Sequence, residues 1–341
     1  MKRVAAIDCG TNSIRLLVAD CDPATGELKD LDRRMQIVRL GQGVDRTGRL
    51  APEALERTFA ACREYAAVIK DLGAEQVRFV ATSASRDAEN RADFVRGVVD
   101  ILGVEPEVIT GDQEAEFSFQ GATKELSATG SADAERLPAK GGGRSGLERP
   151  FLVVDIGGGS TEFVLGDGSV RAARSVDIGC VRMTERHLHD PDAGRGAPEG
   201  ASPAPLTDPP SAQQIDAIKA DVAAALDHAE QTVPLGEAAT LVGLAGSVTT
   251  VAAIALGLER YDSAAIHHSR IPLAQVRETT DRLLSSTHAE RAAIPVMHPG
   301  RVDVIAAGAL VLLSIMERVG AREVVVSEHD ILDGIAWSLA G

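Results

Sequence analysis

Aromatic side chains are scarce in this 341-residue sequence: they make up 3% of it, with one tryptophan and two tyrosines. That scarcity argues against the stacking platforms on which single-stranded nucleic acids lie. Positive charge is short as well, since 35 lysines and arginines face 50 aspartates and glutamates for a net charge of -15. A broad surface for a nucleic-acid backbone is therefore not expected, and any phosphate-rich ligand must enter a locally positive or metal-screened cleft. The four cysteines, Cys9, Cys21, Cys62 and Cys180, lack paired metal-ligand spacing. In a chain this large they are expected to be reduced and buried. No apolar run approaches the roughly 20 residues of a membrane span, and the opening "MKRVAAIDCG" turns polar too early for a secretory signal. A soluble, cytoplasmic protein without membrane or nucleic-acid partners is the expectation. Two nucleotide signatures are also missing, the P-loop ending in Gly-Lys-Ser/Thr and the G-x-G-x-x-G fingerprint, which argues against a P-loop nucleotidase or a dehydrogenase.

What the sequence does contain is one phrase written twice, "VAAIDCGTNSIRLLVAD" near the start and "FLVVDIGGGSTEFVLGD" much later. Aligned without a gap, Asp8 falls on Asp155, Gly10 on Gly157, Ser13 on Ser160 and Asp20 on Asp167. Each copy reads as a strand, a small polar turn and a second strand. A strand that ends in Asp and runs into Gly and Ser brings free backbone N–H groups beside a carboxylate, and glycine lets the backbone approach an anion closely. Two such turns face to face would clamp phosphate. Asp8 and Asp155 could then hold Mg²⁺ through waters, as a small hard cation prefers. A third segment, "LVGLAGSVTTVAAIA", joins a strand to a helix and places Gly246 and Ser247 at the helix N-terminus, where anions are favoured.

The intervening pattern alternates strands with helices, which defines an α/β class. A strand is expected at about 32–40, a helix at 52–73 beginning with Pro52, the strand "VRFVATSA", a helix at about 91–102, the strand "EVIT" and a helix from near Asp112. Residues 127–150 and 190–210 break every period and read as linkers. Helices follow at 211–232 and 247–256, then "VDVIAAGALVLLSIMERVG" as a buried helix interrupted by Gly308, the strand "EVVVS" and the helix "DILDGIAWSLA". With 44% apolar residues at this length, two domains are the natural division.

Taken in order, "AIDCGTNSIRLLV", "VATSASRDAEN", "VITGDQEAEFSFQGA", "VVDIGGGSTEFV", "GLAGSVTTVAA" and "RVDVIAAGALVL" resemble the exopolyphosphatase and guanosine pentaphosphate phosphohydrolase family of the actin, sugar-kinase and heat-shock ATPase superfamily. The resemblance spans nearly the whole chain. It implies two actin-like (ribonuclease H-like) domains, residues 1–123 and 124–325, with 326–341 packing back on the first and the active site in the cleft between them. It also implies the short, two-domain form, without a C-terminal helical extension, and a homodimer is expected. The implied activity is release of orthophosphate from the end of inorganic polyphosphate with Mg²⁺ or Mn²⁺. Guanosine pentaphosphate hydrolysis, or a non-catalytic sensor of polyphosphate or nucleotide, is the alternative.

By the same resemblance Glu114 activates the attacking water, although Gln113 stands where the family often has an acid. Asp155 and Glu162 help place the metal or the water, Asp8 joins them as a metal ligand, and Arg86 neutralises charge on the transferred phosphoryl group. Thr11, Asn12, Ser13 and Arg15 from the first loop, Gly157, Gly158, Gly159, Ser160 and Thr161 from the second, and Gly246 and Ser247 from the third are the expected substrate contacts. Arg15 occupies in the first copy the position of Glu162 in the second. Glu116 reads as a solvated helix residue, and His267, His268, His298 and His329 lack the spacing of a zinc site, so they read as surface or hinge residues.

Overall fold

The computed structural model describes residues 1–25, 27–128, 147–189 and 206–340. Its first lobe comprises β1 (Lys2–Cys9), β2 (Ser13–Asp22), β3 (Glu27–Ile37), α1 (Val44–Thr47), α2 (Pro52–Leu72), β4 (Gln76–Ala81), α3 (Ser83–Asp87), α4 (Arg91–Leu102), β5 (Glu107–Val108) and α5 (Gly111–Ala128). The second continues with β6 (Phe151–Ile156), β7 (Thr161–Gly166), β8 (Val170–Val176), α6 (Cys180–His187), α7 (Ala212–Glu230), β9 (Thr240–Leu244), α8 (Ala245–Ala255), α9 (Ser263–Ile266), β10 (Arg270–Pro272), α10 (Leu273–Ser285), α11 (His288–Ala292), α12 (Ile305–Val319) and β11 (Glu323–Val326). A last helix, α13 (Ile331–Ala340), ends the chain.

The strand carrying each Asp sits inside its sheet. Sheet one runs β3-β2-β1-β4-β5 and sheet two β10-β11-β9-β6-β7-β8. β1 pairs antiparallel with β2 and parallel with β4, while β6 pairs antiparallel with β7 and parallel with β9. Both strands are apolar on both faces, as a strand covered by helices on each side must be. The register sets Asp8 opposite Arg15 and Asp155 opposite Glu162, so the duplicated phrase folds into a duplicated hairpin.

Local chemistry explains where elements stop. α2 buries Ala54, Thr58, Ala61, Cys62, Tyr65 and Ile69 along one helical face and ends at Gly73, whose φ of 67° suits glycine. β3 ends at Ile37, not near Leu40, because the next backbone amides serve the first loop: Val38 and Arg39 donate to the Asn12 carbonyl and Gly41 to that of Thr11. β4 stops at Ala81, short of the strand read to Ala84, since Ser83–Asp87 winds into α3. β5 shrinks to Glu107 and Val108. Gly308 does not interrupt α12. Its missing Cβ would lie 2.4 Å from Ser247 Oγ, so it admits α8 at close range. Residues 257–300, left unassigned in sequence, hold α9, β10, α10 and α11. Most of the two aperiodic stretches lies outside the described residues.

α5 is shared between lobes. Ala115, Phe119 and Ala122 pack with Phe151, Val153 and Val164 of sheet two, while Phe117 joins α13. α13 in turn lies on β1, β2 and β4. Helices α5 and α13 meet at two glycines, since a Cβ on Gly121 would stand 1.9 Å from the Asp330 carbonyl oxygen and one on Gly334 2.1 Å from that of Phe117. All four cysteines are buried free thiols, and no described helix is long and apolar enough to cross a membrane.

Candidate active site

The two hairpin turns meet across a cleft of about 90 Å³ between the lobes. Gly158 packs on Thr11 and Asn12, where a Cβ would come within 2.9 Å of Thr11 Cβ, and Gly159 packs against Ser83 and Thr11. Thr11 and Ser83 hydroxyls are joined at 2.9 Å. The loop carbonyls turn away from the cleft. Those of Thr11 and Asn12 accept from residues 38–41, and those of Gly157, Gly158 and Gly159 accept from the first amides of α6 and Gly179. Among the described residues the amides of Thr11, Asn12, Gly158 and Gly159 donate to no protein group, which leaves those on the cleft wall, Thr11, Asn12 and Gly158, for an anion.

Of the residues singled out in sequence, Asp8, Thr11, Asn12, Ser13 and Arg15 line this cleft from one lobe, and Asp155, Gly157, Gly158, Ser160, Gly246 and Ser247 from the other. Glu114 reaches it from the first turn of α5. Four do not reach the wall. Gly159 serves the contact between the loops, Thr161 hydrogen-bonds the Ile178 carbonyl at 3.0 Å, Glu162 stands behind Asp155, and Arg86 stands behind Glu114. Arg86 Nη1 donates to the Ile109 carbonyl at 3.0 Å and lies 3.4 Å from Glu114 Oε2. The histidines stay outside the cleft: the His267 ring stacks on His268 at 3.7 Å and leans on His329 at 4.6 Å, and His298 Nδ1 accepts from the Gly300 amide.

Buried negative charge dominates the electrostatics. Asp8, Glu114, Asp155 and Glu162 are all buried. Burial pushes Glu114 well above the ordinary glutamate range and the neighbouring Glu162 adds to it, while Arg86 opposes. Glu162 is raised by burial and then by Asp155, against hydrogen bonds from Ser160 and Ser175, the latter at 2.7 Å. Asp155 is raised by burial and by Asp330, and accepts from Ser118 Oγ at 2.7 Å. Asp8 is raised by burial in spite of Arg15, whose Nε and Nη2 donate to its Oδ2 at 3.0 and 2.6 Å. Arg15 also pairs with Asp330, and although burial pulls its pKa down, Asp330 and Asp8 hold it up.

Sequence reading passed over Arg301, Asp330, Ser118 and Ser83. Arg301 lines the cleft, donating to the Gly246 carbonyl at 3.0 Å and Thr250 Oγ1 at 2.9 Å, and among the described residues no carboxylate pairs with it. Burial lowers its pKa. A half-buried guanidinium on a cleft wall without a carboxylate is an anion receptor. A Cβ on Gly246 would meet the guanidinium at 2.2 Å and displace it, so the glycine leaves Arg301 its place, and the neighbouring Ala245 holds a φ of 66°, strained for a side-chain-bearing residue. The only trace of Arg301 in sequence is a cation opening the apolar run "RVDVIAAGALVL".

Two sheets of matching order, each offering a strand–turn–strand loop to a shared cleft, define the actin-like class of phosphate-handling proteins. A match to the Ppx/GppA phosphatase family covers residues 17–133 and 141–341, and the chain belongs to that family. It is 50% identical over 352 aligned residues to Exopolyphosphatase 2 of Mycobacterium tuberculosis, covering 100% of this chain and 99% of the relative. Among solved structures, an exopolyphosphatase-like protein matches at 41% identity and a TM-score of 0.84, over 99% of this chain and 98% of the other. The Aquifex aeolicus PPX-GPPA enzyme matches at 29% identity and 0.73, over 99% of each chain.

Proposed function

We infer that this chain is an exopolyphosphatase that hydrolyses the terminal anhydride of inorganic polyphosphate and releases orthophosphate. The observation that carries it is the pair of touching loops with unengaged amides, set over the carboxylate of Glu114. Thr11, Asn12 and Gly158 offer amides to the phosphate oxygens, and Arg301 adds a half-buried positive charge at the cleft wall. Glu114, its pKa raised by burial, is a strong base once deprotonated and orients a water in line with the terminal phosphorus. Arg86 holds that carboxylate from behind. The test is orthophosphate release by purified protein from short polyphosphate, long polyphosphate, guanosine pentaphosphate and ATP, supplied separately. Release from polyphosphate is expected, and none from it would contradict the reading.

Mg²⁺, or Mn²⁺, is the proposed cofactor, held by Asp8 and Asp155 at the cleft with Glu162 behind them. The donors are all oxygen, which suits a hard cation, and Asn12 Oδ1 is a buried acceptor without a partner beside them. Among the described residues no three acidic, histidine or cysteine groups form a ready-made cage, in keeping with an ion that retains waters and shares phosphate oxygens. When bound, such an ion supplies charge neutralisation at the phosphate oxygens. Chelation is expected to abolish turnover and Mg²⁺ or Mn²⁺ to restore it. Full activity in excess chelator would remove the metal from the account.

A second cavity, about 490 Å³, favours guanosine pentaphosphate as an additional substrate. It shares Arg15, Gly246 and Arg301 with the cleft and adds Tyr261, Met297 and His298, room and apolar surface for a nucleoside beyond the phosphates. A cytoplasmic location belongs to the same reading, since the four buried thiols suit a reducing compartment.

A further inference from the structure

Helix α6 touches both lobes, and one of its side chains touches the second phosphate loop as well. Arg182 Nε donates to the Gly159 carbonyl at 2.8 Å. Its Nη1 reaches Asp45 Oδ1 at 2.8 Å and its Nη2 reaches Asp87 Oδ2 at 2.7 Å, both on the first lobe. The residues at i+3 and i+4 share that helix face. Glu185 accepts from the Gly43 amide at 3.1 Å through both oxygens, and Arg186 donates to Asp45 at 3.2 Å. Meanwhile the amides of Cys180 and Val181 donate to the carbonyls of Gly157 and Gly158 at 2.9 and 2.8 Å. Those bonds turn the loop's own amides toward the cleft. Asp87 also adjoins Arg86, whose Nε lies 4.0 Å from it and whose guanidinium faces Glu114.

We propose that Arg182 is a positioning residue for phosphate release, tying the Gly157–Ser160 loop to Asp45 and Asp87 so that its amides stand against those of the first loop only when the lobes are in contact. Its guanidinium does not line the cleft, so it acts through the loop and not on substrate. The planar fork explains the choice of arginine: three acceptors on three segments are met by one side chain, which an ammonium cannot reproduce. Separation of the lobes must break the bonds to Asp45 and Asp87 while the bond to Gly159 stays within the second lobe. The proposal rests on the exopolyphosphatase reading for its kinetic arm only.

The test compares wild type, Arg182→Ala, Arg182→Lys, Asp87→Asn and the double variant Arg182→Ala with Asp87→Asn in two measurements. The first is steady-state orthophosphate release from short polyphosphate with Mg²⁺. The second is the radius of gyration in solution without substrate. Arg182→Ala is expected to raise KM roughly tenfold, the effect of losing one charge-assisted hydrogen bond, with a smaller change in kcat. It is also expected to expand the particle. Asp87→Asn should raise KM less, and should add nothing in the Arg182→Ala background, since both act through one contact. Arg182→Lys should fall between. Unchanged KM and radius in all variants, or a lowered melting temperature with wild-type kinetic constants, would overturn the proposal and leave Arg182 an ordinary ion pair. If Arg182→Ala does not fold, Asp45→Asn and Asp87→Asn carry the same test. Wild type that releases no orthophosphate defeats the activity reading, whereas the scattering comparison still decides the link between the lobes.

Discussion

At the residue scale the chemistry concentrates on Glu114. Replacement by glutamine keeps shape and hydrogen-bonding reach but cannot take a proton, so the loops, Arg15 and Arg301 still hold polyphosphate. Turnover in Glu114→Gln is expected to fall roughly 10²- to 10⁴-fold with polyphosphate affinity nearly unchanged, measured by single-turnover kinetics and calorimetry. Loss of melting temperature with little loss of rate would instead make Glu114 a helix-start carboxylate favoured by the dipole. Asp8 and Asp155 were legible because a carboxylate beside glycines at a strand end is a local pattern, whereas Glu114, a carboxylate in the first turn of a helix, was legible only through the family resemblance. Arg301 and Asp330 were not. Their meaning comes from partners 55 and 315 positions away, on Gly246 and Arg15, and no local pattern records such a distance. Glu162 was legible as a charge on an apolar strand, yet its place behind Asp155 follows only from hairpin register.

At the scale of elements, α5 carries Glu114 and is seated by α13. The two helices approach through Gly121 and Gly334, the first closed to a side chain by the carbonyl oxygen of Asp330, just before α13, and the second by that of Phe117 in α5. Gly121→Ala is therefore expected to cost about 1–3 kcal/mol through overpacking and to lower kcat by shifting Glu114. Thermal melting and initial rates check it, and an unchanged melting temperature would contradict the close packing. Helix and strand order was legible from apolar period and from Pro52 and Gly73. Glycines inside helices misled, because in sequence Gly308 reads as an interruption while in space it marks a near neighbour, Ser247. Short elements such as β10 and α9 carry too few residues to show a period.

At the scale of the whole molecule, two lobes bury four carboxylates against each other, and this has a pH signature. For Glu162 the ordinary value of 4.5 rises to about 8 in the folded protein, through burial first and then Asp155. Between those values the native state binds more protons than the unfolded chain, so unfolding free energy falls as pH rises through the window. Metal-free protein is expected to melt lower at pH 8 than at pH 5, and Glu162→Gln, which keeps the hydrogen-bonding shape without the charge, should flatten that slope and raise the pH 8 melting temperature. A slope of opposite sign would contradict the buried-carboxylate account. The duplicated architecture was legible from the repeated phrase, whereas the grip of α6 across the cleft was not, since Arg182 and Glu185 meet Asp45 and Gly43 at separations of 137 and 142 positions, which no local pattern records. The most direct measurement follows orthophosphate and residual chain length together when a polyphosphate of defined length is incubated with the protein and Mg²⁺. Orthophosphate is predicted from the first turnover, with chains shortening one unit at a time. Internal cleavage into long fragments, or no orthophosphate from polyphosphate, would contradict the account.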